Sequence, residues 1–324
     1  MVFTESFMRC NSGGDMRVSG LTIVRDIEIM DYPALEAIRS VLPLCDEFVV
    51  VVGRSEDATL ERIQSLGDPR LRILETEWDP RLRRGGEVLS QQTNLGLQHC
   101  TGDWVFYIQA DEVLHERYLE RVRERMRRFL TDPRVEGLWF RYRHFYGTYW
   151  AYQDNRRRWY RRQVRIVRRD PNIVSWGDAM DFRHRDGSKL RSRSAGAEIY
   201  HYGWVKRPTR MLEKKRRLDR LWYSDEEIEK RYGSLVSYSY PDRYFLVPFR
   251  GTHPAVMQER VRQQDWEFEI PWTPLRLWPV RKIAVWLEPV AKRIARAIPG
   301  LREKSASEAR SPQFLKQESA PEAS

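Results

Sequence analysis

The chain has 324 residues, 41% of them hydrophobic and 12% aromatic, enough for a sizeable core in one large domain or two small ones and too many for a disordered chain. With 32% of residues charged and a net charge of +11, it suits anionic partners such as nucleotides, sugar phosphates, nucleic acid or an acidic membrane face, and suits a solvated basic surface equally. No stretch approaches the ~18 apolar residues needed to span a bilayer, so a membrane-crossing helix is not expected.

Residues 1–17 are polar and glycine-containing and read as a flexible leader, without the charged-then-apolar order of a signal peptide. Cys10, Cys45 and Cys100 are odd in number and far apart, as expected of reduced thiols in a cytoplasmic protein. VSGLTIVRD predicts a short strand that ends in Arg25 and Asp26. YPALEAIRSVLPL, with Leu35, Ile38 and Leu42 at helical spacing, predicts a helix. DEFVVVVG is the continuous β-branched run of a parallel strand buried on both faces. SEDATLERIQSLG predicts a helix capped by Ser55 and closed by Gly67.

The alternation continues with LRILETEW as a strand, EVLSQQTNLGLQHC as a helix and DWVFYIQ as a strand. A helix is expected from about His115 to Leu130, then a long aromatic strand, EGLWFRYRHFYGTYW. Strands and helices alternating at this pitch imply βαβ units and a parallel sheet, whose ligands bind beyond the carboxyl ends of the strands. Asp26, the turn at Ser55 and the run Gln109 to Glu112 all fall at such ends.

Past residue 150 the pattern changes. RRRWYRRQVRIVRRD is dense in arginine around an alternating strand, and NIVSWGDAMDFRHRDG and AEIYHYGWVK each place polar residues after a short apolar run. Residues 207–232 read as charged helix. Residues 279–298 set Val280, Ile283, Leu287, Val290, Ile294 and Ile298 on one face with Lys and Arg opposite, and the tail from Leu301 has a disordered composition.

The order of strand, turn, SEDAT and then TGDWVFYIQADE resembles the family 2 glycosyltransferases. SEDAT is similar to that family's Ser-x-Asp-Gly-Thr turn. QQTNLGLQHCTGDWVFYIQADE is similar to its Asn-x-Gly helix followed by a strand and an Asp-x-Asp motif. The resemblance covers roughly residues 18–205 and implies an α/β GT-A fold, a mostly parallel Rossmann-type sheet flanked by helices. It divides the chain into a leader (1–17), a catalytic domain (18–205), a helical extension (206–300) and a tail (301–324).

It also implies a nucleotide diphosphate sugar donor, a glycan or lipid-linked acceptor, inversion at the anomeric carbon and a divalent metal, Mg or Mn. Donor contacts carry over to Asp26, Ser55, Asp57, Asn94 and Gln109, and metal contacts to Asp111 and His201. The departures are Gln109, which stands at the first Asp of Asp-x-Asp, and Val52 and Gly53, which stand where acidic residues often precede the turn.

The residues make the same case in part. A diphosphate leaving group in a cleft needs positive charge against it, which a carboxylate-held cation supplies. The alternative is that Asp111 and Glu112 only cap a helix starting near Leu114. Inversion needs a base, and Asp178 in SWGDAMD is the first candidate with Asp181 in reserve. His201 reads either as a metal ligand or as a structural histidine. The basic stripe at 279–298, with tryptophans nearby, suits a peripheral site on an anionic membrane face as well as a packed helix. Two rival readings remain: a basic nucleic-acid-binding protein, which carboxylates at the ligand edge disfavour, and a catalytically silent homologue, which Gln109 suggests.

Overall fold

The computed structural model describes residues 15–79, 81–82, 85–154, 159–243 and 246–270. The stripe at 279–298, the tail and most of the leader lie outside the described residues. In chain order, β1 (Val18–Val24), α1 (Ala34–Val41), β2 (Glu47–Gly53), α2 (Thr59–Gln64), β3 (Leu71–Thr76), α3 (Glu87–His99) and β4 (Trp104–Tyr107) alternate as the patterning predicts. Then come β5 (Glu112–Leu114), α4 (Leu119–Leu130), β6 (Gly137–Tyr146), β7 (Thr148–Gln153), β8 (Arg162–Arg168), β9 (Ile173–Trp176), β10 (Asp181–His184) and β11 (Ser192–Trp204). The chain continues with α5 (Pro208–Leu218), α6 (Asp225–Tyr232), β12 (Leu246–Pro248) and α7 (Gln258–Arg262).

The main sheet has the order β12-β7-β6-β8-β4-β1-β2-β3, with β11 paired to β6 and β5. It is parallel through β3, β2, β1 and β4, so the carboxyl ends of β1, β2 and β4 lie on one edge. Beyond β4 it is mixed: β8 runs antiparallel to both β4 and β6, and β11 runs parallel to β6. The run of valines explains the centre of the sheet. Phe48, Val50 and Val52 pack in one core with Leu35 and Ile38 of α1, and Val49 and Val51 pack in another with Leu21 and Leu95. Each such buried side chain stabilises the fold by roughly 1.5–3 kcal/mol.

Three local features differ from the sequence expectation. The helix expected straight after Asp111 is displaced by β5, whose Glu112 and Val113 pair with His201 and Tyr200 of β11, and by a 3-10 turn before α4. Glu112, Val113 and Leu114 are all buried, and a helix start here would pull Glu112 away from its internal partner. Neither Asp111 nor Glu112 therefore caps a helix. Ser55 does not cap α2, which begins after Ala58. The long aromatic strand folds into the β6–β7 hairpin at Gly147, and SWGDAMD is the turn of the β9–β10 hairpin. The turn at 251–254 is fixed by His253, whose ring bonds the Tyr202 hydroxyl at 2.8 Å and the Tyr149 carbonyl at 3.0 Å; burial lowers its pKa to about 4.

Candidate active site

At the carboxyl edge of the parallel strands lies a cavity of about 300 Å³ whose lining includes Asp26, Gln109, Asp111, Asp178 and His201. β1 delivers Asp26 and β4 delivers Gln109 and Asp111, as the strand-end argument anticipated. Four other candidates lie apart from the cavity. The Ser55 hydroxyl accepts from Asp26 N at 3.1 Å and donates to Gly53 O at 2.8 Å, which shapes the loop. Asp57 accepts from Glu28 N and Ile29 N at 2.8 and 2.9 Å. Asn94 pairs with the Ser175 backbone and so ties α3 to β9. Asp181 opens β10, and burial raises its carboxyl pKa.

Asp111 and His201 meet, with Oδ2 and Nε2 3.5 Å apart. Lys214 Nζ lies 3.5 Å from the same oxygen and donates to Gly203 O at 2.8 Å. Burial pushes the Asp111 carboxyl up, but His201, Lys214 and Lys206 outweigh it and hold the group well below the usual range. The Lys214 and Lys206 ammonium groups lie 4.5 and 5.2 Å from the Tyr32 ring centre. Gly203 permits this approach: a Cβ there would stand 2.3 Å from Asp111 Oδ2 and 2.9 Å from His201 Cε1.

The histidine tautomers follow from the partners. His144 Nε2 lies 2.8 Å from Tyr160 O and must donate, and burial keeps its ring neutral. Its Nδ1 then accepts, 3.3 Å away, from His201 Nδ1–H. With Nδ1 engaged by His144, Nε2 is the His201 ring nitrogen that faces Asp111. Among the described residues no group of three or more His, Cys, Asp or Glu gathers for a metal. One carboxylate and one imidazole nevertheless fit a cation that takes its remaining ligands from phosphate oxygens and water.

Glu112, the second acid of the strand-end run, faces inward. Arg165 engages it with two bonds of 2.8 Å, both side chains are fully buried, and the Tyr142 hydroxyl donates to it at 2.8 Å. Arg165 also donates to Met180 O at 2.9 Å, and Gln109 Nε2 donates to Ala179 O at 3.2 Å. Gln109, from the strand end, and Arg165, the partner of Glu112, thus grip the turn that carries Asp178. That turn needs holding, because Ala179 sits at φ +60. Asp178 reaches the cavity, and burial raises its pKa.

Sequence reasoning missed the rest of the wall. The Trp78 indole, just past β3, lies over Gly53, where a Cβ would come 2.3 Å from Nε1, and Arg25 covers the ring at 5.4 Å. Arg217, Arg220 and Trp222 line the cavity from α5 and the turn after it. Arg217 bonds Glu56 at 2.8 Å and Glu213 at 2.7 Å, and Leu221 O accepts from Gly86 N. The apolar neighbours Met211 and Leu212, both buried, were the available signal that α5 docks on the domain.

A comparison with curated proteins finds no match. Among solved structures, the chain is similar to glucosyl-3-phosphoglycerate synthase from Mycobacterium tuberculosis, crystallised with Mn2+, uridine-diphosphate and glucosyl-3-phosphoglycerate. The identity is 20% over 41% of this chain and 45% of that one, with a TM-score of 0.29. It is also similar to S. aureus TarS, at 14% identity over 66% of this chain and 42% of that one, with a TM-score of 0.37. The chain therefore spans less than half the length of either relative. The family model described as glycosyl transferase family 2 matches residues 33–202, a span that holds the first helix, Gln109, Asp111 and Glu112, and the Asp178 turn. Matched over more than half its length, the chain belongs to glycosyl transferase family 2.

Proposed function

We propose that the protein transfers a sugar from a nucleotide diphosphate donor to an acceptor hydroxyl, with inversion at the anomeric carbon and with a divalent cation, Mg or Mn. One observation carries this reading: Asp26, Gln109, Asp111, His201 and Asp178 share one cavity at the strand ends of a family 2 chain. Asp111 and His201 would hold the cation, which supplies positive charge to the diphosphate as the bond to the sugar breaks. Lys214 keeps Asp111 ionised and fixed. Arg217 and Arg220 offer charged donors to phosphate oxygens from the opposite wall.

Asp178 accepts the proton of the acceptor hydroxyl. The oxygen then attacks the anomeric carbon, and the nucleoside diphosphate departs with the electron pair of the broken bond. Burial makes Asp178 a stronger base than a solvated aspartate. The acceptor is a glycan or a lipid-linked glycan, and the stripe at 279–298 suits a site on an anionic membrane, where each basic residue contributes on the order of 1 kcal/mol.

Thermal shift against a panel of nucleotide sugars, with and without Mn, tests the donor, since a ligand of the folded state raises its stability. One nucleotide sugar should raise the melting temperature, more so with Mn, and Asp111→Asn should abolish the Mn effect. A panel without any stabilising donor would overturn the reading.

A further inference from the structure

A second cavity, of about 730 Å³, adjoins the first at Tyr160, which lines both. Its floor is β6, where Trp139, Arg141 and Arg143 alternate with the buried Phe140, Tyr142 and His144. Arg141 stands directly opposite Arg162 in the β6–β8 register. Like charges in that position destabilise a sheet. Among the described residues no carboxylate lies within ion-pair distance of Arg141 or Arg162. Glu198, the neighbour of Arg141 on β11, is engaged by Arg143 at 3.0 and 3.2 Å.

Among the described residues, two exposed guanidinium groups without an ion-pair partner thus stand side by side on a cavity floor, an arrangement that an anion between them would relieve. Flat faces lie next to the charges. Arg162 covers Trp139 at 5.2 Å and Arg143 covers Tyr152 at 4.6 Å, so each ring stands beside a guanidinium. Gln153 Oε1 is buried without a hydrogen-bond partner on the same lining and can accept from a hydroxyl. Tyr160 leads from here to the catalytic turn: its ring packs on His144 at 4.5 Å, and it lines the first cavity with Asp178.

We propose that this cavity binds the acceptor, and that the acceptor is an anionic sugar whose phosphate or carboxylate sits between Arg141 and Arg162. The assignment as acceptor rests on the glycosyltransferase reading; the anionic-sugar site does not. Calorimetric titration of the full chain with glucose 6-phosphate, glucuronate, glucose and inorganic phosphate tests it. One of the two anionic sugars should bind more tightly than glucose or phosphate, and which of them binds identifies the acid group.

The Arg141→Ala/Arg162→Ala variant should weaken that binding about tenfold or more, with nucleoside diphosphate affinity unchanged. Its melting temperature without ligand should not fall, because a repulsion has been removed, and Arg162→Glu should likewise stay folded and lose the sugar. Equal affinity in wild type and variants would overturn the proposal. So would inorganic phosphate binding as tightly as the better-bound sugar, or loss in the variants of binding to anionic vesicles when no sugar binds. If the sugar binds here while no nucleotide binds in the first cavity, the glycosyltransferase reading fails and this site stands.

Discussion

At the scale of single residues, the proposed chemistry is tested at Asp178 and Gln109. Burial raises the Asp178 pKa in the folded chain, so folding favours its protonated form. That contribution is complete below the unfolded pKa and is lost as pH rises through the folded one. Asp178→Asn removes the cost of ionising a buried carboxyl. It should therefore melt higher than wild type at about pH 8 and show no gain near about pH 3, while transfer falls by about 10²-fold. Melting curves at the two pH values and a transfer assay check this, and an unchanged transfer rate would remove Asp178 as the base. Gln109 is the departure that a carboxylate could not reproduce, because its Nε2 donates to Ala179 O. Gln109→Glu loses that bond and turns an anion toward a carbonyl, so kcat should fall about tenfold, in line with a buried acceptor left unpaired. Donor affinity should hold. If affinity drops while kcat holds, the amide contacts the donor instead.

Between β5, β8 and the β9–β10 turn, one ion pair joins three elements. Removing one partner of the Glu112–Arg165 pair leaves an uncompensated buried charge and should cost about 3–5 kcal/mol. Glu112→Leu combined with Arg165→Met should recover much of that loss, since apolar groups replace buried pairs well. Transfer should not recover, because the bond from Arg165 to Met180 O is gone and the Asp178 turn is released. Urea unfolding and kcat on the same variants separate the two roles; recovery of both would make the pair purely structural. The same residues show what the sequence discloses at this scale. The strands and helices up to β4 were legible because each is set by its own periodicity. Glu112 was not, because its partner lies 53 residues away and its local context, an acid before an apolar run, also fits a helix start. Ser55 failed in the same way, taken by the Asp26 backbone rather than by the helix that follows it. Asp111 and His201 were brought together in sequence only by the family resemblance, and in the structure the pairing of β11 with β5 lets them meet.

Across the whole molecule, the family match ends at residue 202 but the cavity wall runs on to Trp222. The segment after β11 is fastened at both of its ends to the stretch that leads into the first helix. Lys206 bonds Asp31 O, and Arg260 bonds Asp31, the Tyr32 carbonyl and Glu36 at 2.8, 3.1 and 3.0 Å. The segment reads in sequence as a peripheral extension because nothing local marks the acids it will meet far earlier in the chain, Glu56 for Arg217 and Asp31 and Glu36 for Arg260. Asp31 makes the fastening measurable. Burial pushes its carboxyl up, and Lys206 and Arg260 outweigh burial, so its pKa is lowered in the folded chain. Stability from such a group is present above the unfolded pKa and is lost as pH falls through the folded one. Arg260→Ala removes one of the two cations and three hydrogen bonds to the start of α1, at a cost of roughly 2–3 kcal/mol near neutral pH. The melting temperature of the variant should therefore lie below wild type at about pH 7, and the gap should narrow toward about pH 3, where Asp31 is protonated in both unfolded chains. Because the fastened segment carries Lys214, Arg217 and Trp222, donor affinity should weaken in the same variant although Arg260 does not line the cavity. A gap that stays constant with pH would show that Arg260 acts through packing rather than through Asp31. Unchanged donor affinity would show that the wall holds its place without this staple.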